Sequence, residues 1–355
     1  MPHRPLPTDL ELRTCPASDL PDEALEPFAA LAASLAAVAN PHDAPPTAAH
    51  LRAEMRGLVA MGTHVADVAL AWSGDRVVGF LVAGGQRTGT NRHLLQLDLG
   101  IAVDWRRQGI GRALLHEALA VARRDGRRLL VSGASDRVPA GAAFARAVGA
   151  RAGLELRVSE LDLHAEARTL FGPSGTVATW CARGPQRAPG YDLRWLERPL
   201  GDDAVAHLAV VKAAMNAAPH GDLDVQDEVI TPERVRAEEA LYASRGDVVW
   251  TVVAVERSTG AFAGFTQVGW QARNPRVVEQ HDTAVLEAHR GHGLGRWLKA
   301  TMLDRVHRER PEAHVVRTGN ADTNAPMLAI NEALGFRVAR ATTVWQLDVG
   351  DAAPA

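Results

Sequence analysis

The sequence predicts an α/β protein built from two tandem copies of one mixed domain, and three observations support this. The first is an internal repeat. Leu51-Arg52-Ala53-Glu54 returns as Val235-Arg236-Ala237-Glu238, Gly79-Phe80 as Gly264-Phe265, Arg106 to Arg112 as Arg290 to Arg296, and Leu161-Asp162-Leu163 as Leu347-Asp348-Val349. All four matches keep their order at an offset of 184 to 186 positions. A period this long means duplicated domains, because solenoid units run to only ~20–50 residues. The second is that each copy mixes runs of branched residues with stretches of helical period. The third is length: 355 residues suits about two domains of ~150 residues each.

Each copy opens on a short strand, Leu10 to Arg13 or Tyr191 to Trp195. A helix follows in the first copy, where Phe28, Leu31, Leu35 and Val38 recur at spacings of 3, 4 and 3. Val68 to Ala71 and Val249 to Val255 read as strands. The turns Ser73-Gly74-Asp75 and Ser258-Thr259-Gly260 lead into Val77 to Ala83 and Ala263 to Val268, completing a hairpin in each copy. Another apolar strand, Leu94 to Ile101 or Thr283 to Leu286, runs into a glycine loop. The helix after it is marked by Leu115, Ala118, Leu119 and Ala122 in one copy and by Leu298, Met302 and Val306 in the other. Between the copies lie Gly172-Pro173-Ser174-Gly175 and Arg183 to Gly190, whose glycine and proline density reads as a linker. The expected domains are residues 8–165 and 190–350, joined by a linker at 166–189.

Composition narrows the class. Apolar residues at 46% and charged residues at 23% describe a folded globular chain. The 39 basic and 42 acidic residues give a net charge of -3, which provides no general field for nucleic acid or acidic lipid. Two cysteines, Cys15 and Cys181, form neither a disulfide framework nor a metal cluster, so a reducing, cytoplasmic location is expected. No run approaches the ~18 apolar residues of a membrane span. The histidines beside the second glycine loop, His289 and His292, lack partners at metal-ligand spacing, and no metal is expected.

A glycine pair between a strand and a helix exposes backbone N–H groups at the positive end of the helix, a cradle for a diphosphate. Glycine is required because a side chain blocks close approach and some torsions need positive φ. The spacing fits neither the P-loop nor the three-glycine dinucleotide fingerprint. Taken alone, such a loop is equally a plain turn; its duplication at equivalent places favours the cradle.

Arg106-x-x-Gly109-x-Gly111 and Arg290-x-x-Gly293-x-Gly295 resemble the motif of the GNAT (GCN5-related N-acetyltransferase) superfamily, and the flanking strand and helix extend the likeness. In the second copy Asn320, Asn324 and Asn331, leading into Leu334-Gly335-Phe336, resemble that family's later motif. The resemblance implies two tandem GNAT (acyl-CoA N-acyltransferase) folds, each a mixed, mostly antiparallel sheet flanked by helices. It implies acetyl-CoA, or another acyl-CoA, bound where the fourth and fifth strands splay. The diphosphate would rest on Arg290, Gly291, His292, Gly293, Leu294, Gly295 and Arg296, and in the first copy on Arg106, Arg107, Gln108, Gly109, Ile110, Gly111 and Arg112. The side chains of Arg106 and Arg290 could serve only to order their loops. The pantetheine arm would run beside Thr283, Ala284 and Val285 or Leu99, Gly100 and Ile101, with Asn324 at the cofactor.

Acyl transfer to an amine needs a neutral nucleophile, hence a base, and a backbone N–H on the fourth strand to polarise the thioester carbonyl. The resemblance implies direct transfer, without a covalent enzyme intermediate. Family members place acids or histidine on that strand, and Glu279, His281, Asp282 and, in the first copy, Asp98 are the candidates here. Each has a structural alternative: a strand-end histidine, a paired carboxylate or a solvated one. The tyrosine that family members use to protonate the leaving thiolate is missing. Asn331 and Ala145 stand at its position, and the only tyrosines are Tyr191 and Tyr242.

The first copy offers Ala134 and Val138 against Asn320 and Asn324, which favours the second copy as catalytic. Asp222, Asp224, Asp227 and Glu228 suit either an acidic rim for a cationic acceptor or a solvated loop. The leading expectation is an N-acetyltransferase acting on a small-molecule amine. The alternative is a non-catalytic acyl-CoA-binding or interaction protein. The assembly is expected to be a monomer with an internal pseudo-dimer, or a homodimer.

Overall fold

The computed structural model describes residues 6–60 and 64–351. The first half runs β1 (Leu10–Pro16), α1 (Asp22–Ala39), α2 (Ala48–Ala60), β2 (His64–Ser73), β3 (Arg76–Gln86), β4 (Leu94–Ile101), α3 (Ile110–Arg124), β5 (Leu129–Ser135), α4 (Pro139–Ala147) and β6 (Arg151–Asp162). Two helices follow, α5 (Ala167–Phe171) and α6 (Thr176–Arg187). The second half repeats the order as β7 (Tyr191–Leu196), α7 (Asp202–Lys212), α8 (Pro232–Arg245), β8 (Asp247–Glu256), β9 (Phe262–Gln271), β10 (Val277–Val285), α9 (Leu294–Glu309), β11 (Val315–Ala321), α10 (Ala325–Ala333) and β12 (Arg337–Asp348).

The chain divides into two compact units that do not follow its midpoint. The N-terminal unit comprises residues up to Glu155, His220–Gln226 and those from Ala341 on; the C-terminal unit comprises Leu156–Pro219 and Asp227–Arg340. In the N-terminal unit the strand order is β1-β2-β3-β4-β5-β12, antiparallel except for the parallel pair β4·β5. In the C-terminal unit it is β7-β8-β9-β10-β11-β6, antiparallel except for β10·β11. The last strand of each half therefore completes the sheet of the other unit. Units drawn by spatial contact thus run differently from the contiguous bounds 8–165 and 190–350 expected along the chain. Alternation along a strand fixes which face is buried, but not which sheet edge the strand joins.

The segment 166–189 carries α5 and α6. Its glycine at 184 is a packing residue, since a Cβ there would come within 2.4 Å of the Trp297 ring on α9. Leu170, Val177 and Ala188 are buried in the core of the C-terminal unit.

The helix after each glycine loop packs on its sheet through the expected stripe. Ile110, Leu114, Ala118, Leu119 and Ala122 are buried on α3, with Leu115 partly covered, and Leu298, Met302 and Val306 are buried on α9. Burying one such aliphatic side chain contributes about 1.5–3 kcal/mol, so these stripes fix the helices on the sheets and hold the loops in place.

Candidate active site

The two glycine loops share one geometry. A single 3-10 turn, Val103–Trp105 or Glu287–His289, leads into each. Left-handed torsions then recur at equivalent places, with φ of 64° at Arg107 and 89° at Gly109, against 85° at Gly291 and 78° at Gly293. Gly109 and Gly293 cap α3 and α9, and neither helix start has a side-chain cap. Left-handed residues just ahead of an uncapped helix turn successive N–H groups toward one point, an anion-binding nest. Arg106 Nε donates to the Ile101 carbonyl and Arg290 Nε to the Val285 carbonyl, each at 3.3 Å, so both arginines staple loop to strand.

Around the second loop Arg296 lies 5.4 Å over the Trp180 ring, and Arg187 passes beside Gly293. His289 Nδ1 is 2.8 Å from the Tyr191 hydroxyl, and the His292 ring lies 5.5 Å from that of Tyr191.

Both units open a cleft beside the loop. β4 and β5 are paired only from Leu94–Leu97 to Leu129–Ser132, and β10 and β11 only from Val277–Glu279 to Val315–Arg317, after which the strands part. The units differ in the strand that borders the cleft. β4 pairs with β3 in unbroken register from Gln96 to Ile101, whereas β10 slips against β9 between Gln280 and Thr283. Gln280 faces Val268 and Thr283 faces Thr266, leaving His281 and Asp282 opposite the single residue Gln267. A bulge of this kind unpairs backbone and re-aims side chains.

Below it the strand is anchored by buried polar contacts. The Thr266 and Thr283 hydroxyls lie 2.6 Å apart, and Gln280 Nε2 donates to the Gln267 carbonyl at 2.7 Å. Gly269 makes room for the His281 ring, since a Cβ there would lie 2.5 Å from Nε2.

A charged group gathers at the bulge. Lys212, buried at the end of α7, reaches Glu238 on α8 at 2.9 Å and Asp282 at 3.5 Å. Tyr242 on α8 sits 6.1 Å from the His281 ring. His281 is exposed at the surface, yet protein crowds around its ring. That surrounding burial pushes its imidazole pKa down, with Asp282 opposing and Lys212 adding to the fall. A lowered pKa keeps the ring neutral, the form that can take a proton. Burial pulls the Lys212 ammonium down too, but Glu238 and Asp282 more than reverse this.

Glu279 is engaged elsewhere. Buried Arg317 reaches it at 3.1 Å and Glu160 at 2.9 Å, a staple across β10, β11 and β6. Asn324 caps α10 by accepting from the Met327 N–H at 3.4 Å, where the first copy's Val138 offers no cap. Asn331, at the position of the expected tyrosine, is buried and donates to Asn320 at 2.8 Å.

The acidic run does not form a rim. Asp224 pairs with Arg128 and His93 in the N-terminal unit, and Glu228 with Arg234 in the C-terminal unit. Nothing in the sequence assigns a role to Lys212 or Arg187, and Tyr242 stands out there only as one of two tyrosines. The repeat did flag Glu238, as the partner of Glu54, without giving it a role.

In the N-terminal unit apolar side chains crowd the glycines of β4 and of the loop. Gly100 lies under the Phe80 ring, with Leu35 beside it, and Gly111 lies under Phe144. Gln108 and Arg112 side chains donate to backbone carbonyls of Asp104 and Ala147. Asp98 reaches solvent, yet burial and then the charge of Glu54 lift its pKa to about 6. Two depressions in this unit, of about 500 and 470 Å³, lie elsewhere, one around Arg87, Arg92 and Arg127, the other around Asp67, Glu117 and Arg124. Among the described residues no helix is long and apolar enough to cross a membrane, and no group of three or more His, Cys, Asp or Glu could hold a metal ion.

Comparison with known proteins agrees with this geometry. Residues 64–149 match the acetyltransferase (GNAT) domain family and residues 221–336 the acetyltransferase (GNAT) family. Among solved structures, a tandem GNAT protein from the clavulanic acid biosynthesis pathway is similar at 30% identity, with a TM-score of 0.77, over 97% of this chain and 100% of that one. A GCN5-related N-acetyltransferase from Sphaerobacter thermophilus is similar in fold at 15% identity, with a TM-score of 0.67, over 97% of each chain. No curated protein matches the sequence.

Proposed function

The chain belongs to the GNAT superfamily as a tandem member, and from that premise we propose that it is an N-acyltransferase moving an acetyl or other acyl group from CoA directly to the amine of a small molecule, with the C-terminal unit as the catalytic one. The observation that carries this reading is the bulge in β10, which presents His281 and Asp282 beside the cleft between β10 and β11.

The residues present suit acyl-CoA. Gly291 and Gly293 have positive φ, and at Gly291 no atom lies within 4 Å of where a Cβ would stand, so a diphosphate can approach the N–H groups from Gly291 to Arg296. Arg187 and Arg296 add positive charge at this loop. Thr283, Ala284 and Val285 border the cleft for the pantetheine arm. When bound, acetyl-CoA supplies the acyl group as an activated thioester.

This chain's own residues do the rest. His281, neutral because burial lowers its pKa, takes the proton from the incoming amine at its free imidazole nitrogen. Backbone N–H groups freed at the bulge polarise the acyl carbonyl. Asp282, held by Lys212, sets the charge beside His281. Glu279 and Asn324 keep structural tasks, and the thiolate is protonated from solvent, since Asn331 has no acidic proton to give. The N-terminal unit, with Arg106 to Arg112 in the same nest, holds CoA or serves as a scaffold. Asp98 is its candidate base.

The test is CoA thiol release from acetyl-CoA over a panel of small amines, comparing the wild type with Gly293→Val and Gly109→Val. Gly293→Val should lose about a hundredfold or more in kcat/KM while Gly109→Val retains activity, as expected when cofactor positioning is lost at one site only. CoA binding without turnover on any amine would overturn the enzyme reading in favour of an acyl-CoA-binding protein. Loss with Gly109→Val alone would move catalysis to the N-terminal unit.

A further inference from the structure

The internal repeat supplies its own control for the charged group at the bulge. Glu54 and Asp98 of the first copy correspond, 184 positions on, to Glu238 and Asp282, and His50 corresponds to Arg234. The geometry matches as well, for His50 lies 3.9 Å from Glu54 and Arg234 lies 3.9 Å from Glu238. One position breaks the pattern. The first helices align from their starts, Asp22 with Asp202 and buried Leu25, Phe28, Ala29 and Leu31 with buried Val205, Leu208, Ala209 and Val211, so where the first copy has Ala32 the second has Lys212, its ammonium 5.7 Å from the Phe265 ring.

This difference bears on why a lysine is buried there. Lys212 is 6% exposed, and taking an ammonium out of water is costly even when it is paired. The equivalent place in the N-terminal unit holds Ala32, packed against an apolar core, so packing alone does not call for a cation. What the lysine adds is a bridge between α8 and the bulge, reaching Glu238 and Asp282 together. The first copy, without the bridge, shows what such a carboxylate pair does alone: burial and Glu54 push Asp98 up to about 6.

We propose that Lys212 is a positioning residue of the C-terminal site, placed to hold Asp282 in a fixed, charge-compensated position beside His281 rather than to stabilise the fold. The inference rests on the acyltransferase reading above. The groups facing this cluster are Glu238 and Tyr242 from α8, Asp282 and His281 from β10, and Asp247 from β8. Removing the lysine charge leaves Asp282 and Glu238 facing each other as Asp98 and Glu54 do. The pair then shares a proton in weak acid, and His281 feels a more negative surrounding.

The experiment uses the full chain with acetyl-CoA and two variants, Lys212→Ala, which installs the first copy's own residue, and Lys212→Met, which keeps the aliphatic stem and leaves no cavity. Two readouts are followed: the NMR titration of the His281 ring, and the pH profile of kcat/KM with the panel amine that turns over fastest. The His281 titration should move up by about half a pH unit or more, and that difference should shrink in an Asp282→Asn background, because the effect runs through Asp282. The kcat should fall about tenfold or more while KM for acetyl-CoA stays within about twofold. An unchanged His281 titration in both variants, or the same shift with and without Asp282, overturns the proposal. The titration reads this inference even without turnover, whereas failure of the wild type to bind acetyl-CoA sinks the underlying acyltransferase reading.

Discussion

The most quantitative prediction concerns Lys299, on α9 five residues past the start of the helix. Its side chain is 1% exposed, and the contact described for its ammonium is the face of Phe336 at 5.4 Å. Burial alone lowers its pKa from 10.5 to about 7. The sign follows from linkage. The unfolded chain binds the proton below 10.5 while the folded chain resists it until about 7, so stability falls as pH drops through that window and the full cost is present below it. At about 1.36 kcal/mol per pH unit, the cost at pH 7 comes to roughly 4 kcal/mol, an upper bound because water penetration and the ring attraction reduce it.

Lys299→Met keeps the aliphatic stem and removes the charge. The assay is urea denaturation followed by tryptophan fluorescence, which reports chiefly the C-terminal unit because Trp180, Trp195, Trp250, Trp270 and Trp297 lie there. The variant should be more stable than the wild type by about 2–4 kcal/mol at pH 7, with the gap closing toward pH 10.5. A gap that stays constant from pH 7 to pH 10.5, or a less stable variant at pH 7, would refute the reasoning.

Three further outcomes are expected. Gly291→Ala, at φ of 85°, should destabilise the C-terminal unit by about 1–2 kcal/mol, while Gly319→Ala, where the backbone φ is not positive and a Cβ would meet nothing within 4 Å, should be neutral or stabilising by up to about 1 kcal/mol; the difference between their urea midpoints checks this. The Asp98 carboxyl should titrate near 6 by carbon-detected NMR, and Glu54→Gln should bring it down while leaving the part due to burial. Because the folded state holds the Asp98 proton to higher pH than the unfolded chain, the N-terminal unit should lose stability as pH rises from about 4 to about 6.

The geometry of the glycine loops was legible in advance because it is local in sequence. The glycine loops depend on torsions that glycine alone adopts cheaply, and their place between a strand and a helix follows from period and spacing. Arg107 is the exception, since nothing in its residue type announces a left-handed backbone. The bulge in β10 was not legible, because β4 and β10 read alike as apolar strands and only pairing with β9 reveals the slip. Likewise Glu279 and Asn324 carry the residue types of a site, yet one is drawn to Arg317 and the other to the end of α10.

By itself the sequence determined that this protein has two α/β copies, each with a glycine loop before a helix, because repeat spacing, glycine torsions and hydrophobic period are properties of neighbouring residues. Only the tertiary structure decided that the last strand of each half joins the other unit, that α5 and α6 form within residues 166–189, and that Lys212 meets Glu238 and Asp282. Those outcomes depend on which surfaces meet across long stretches of chain, and alternation or charge along a segment leaves its partner unspecified.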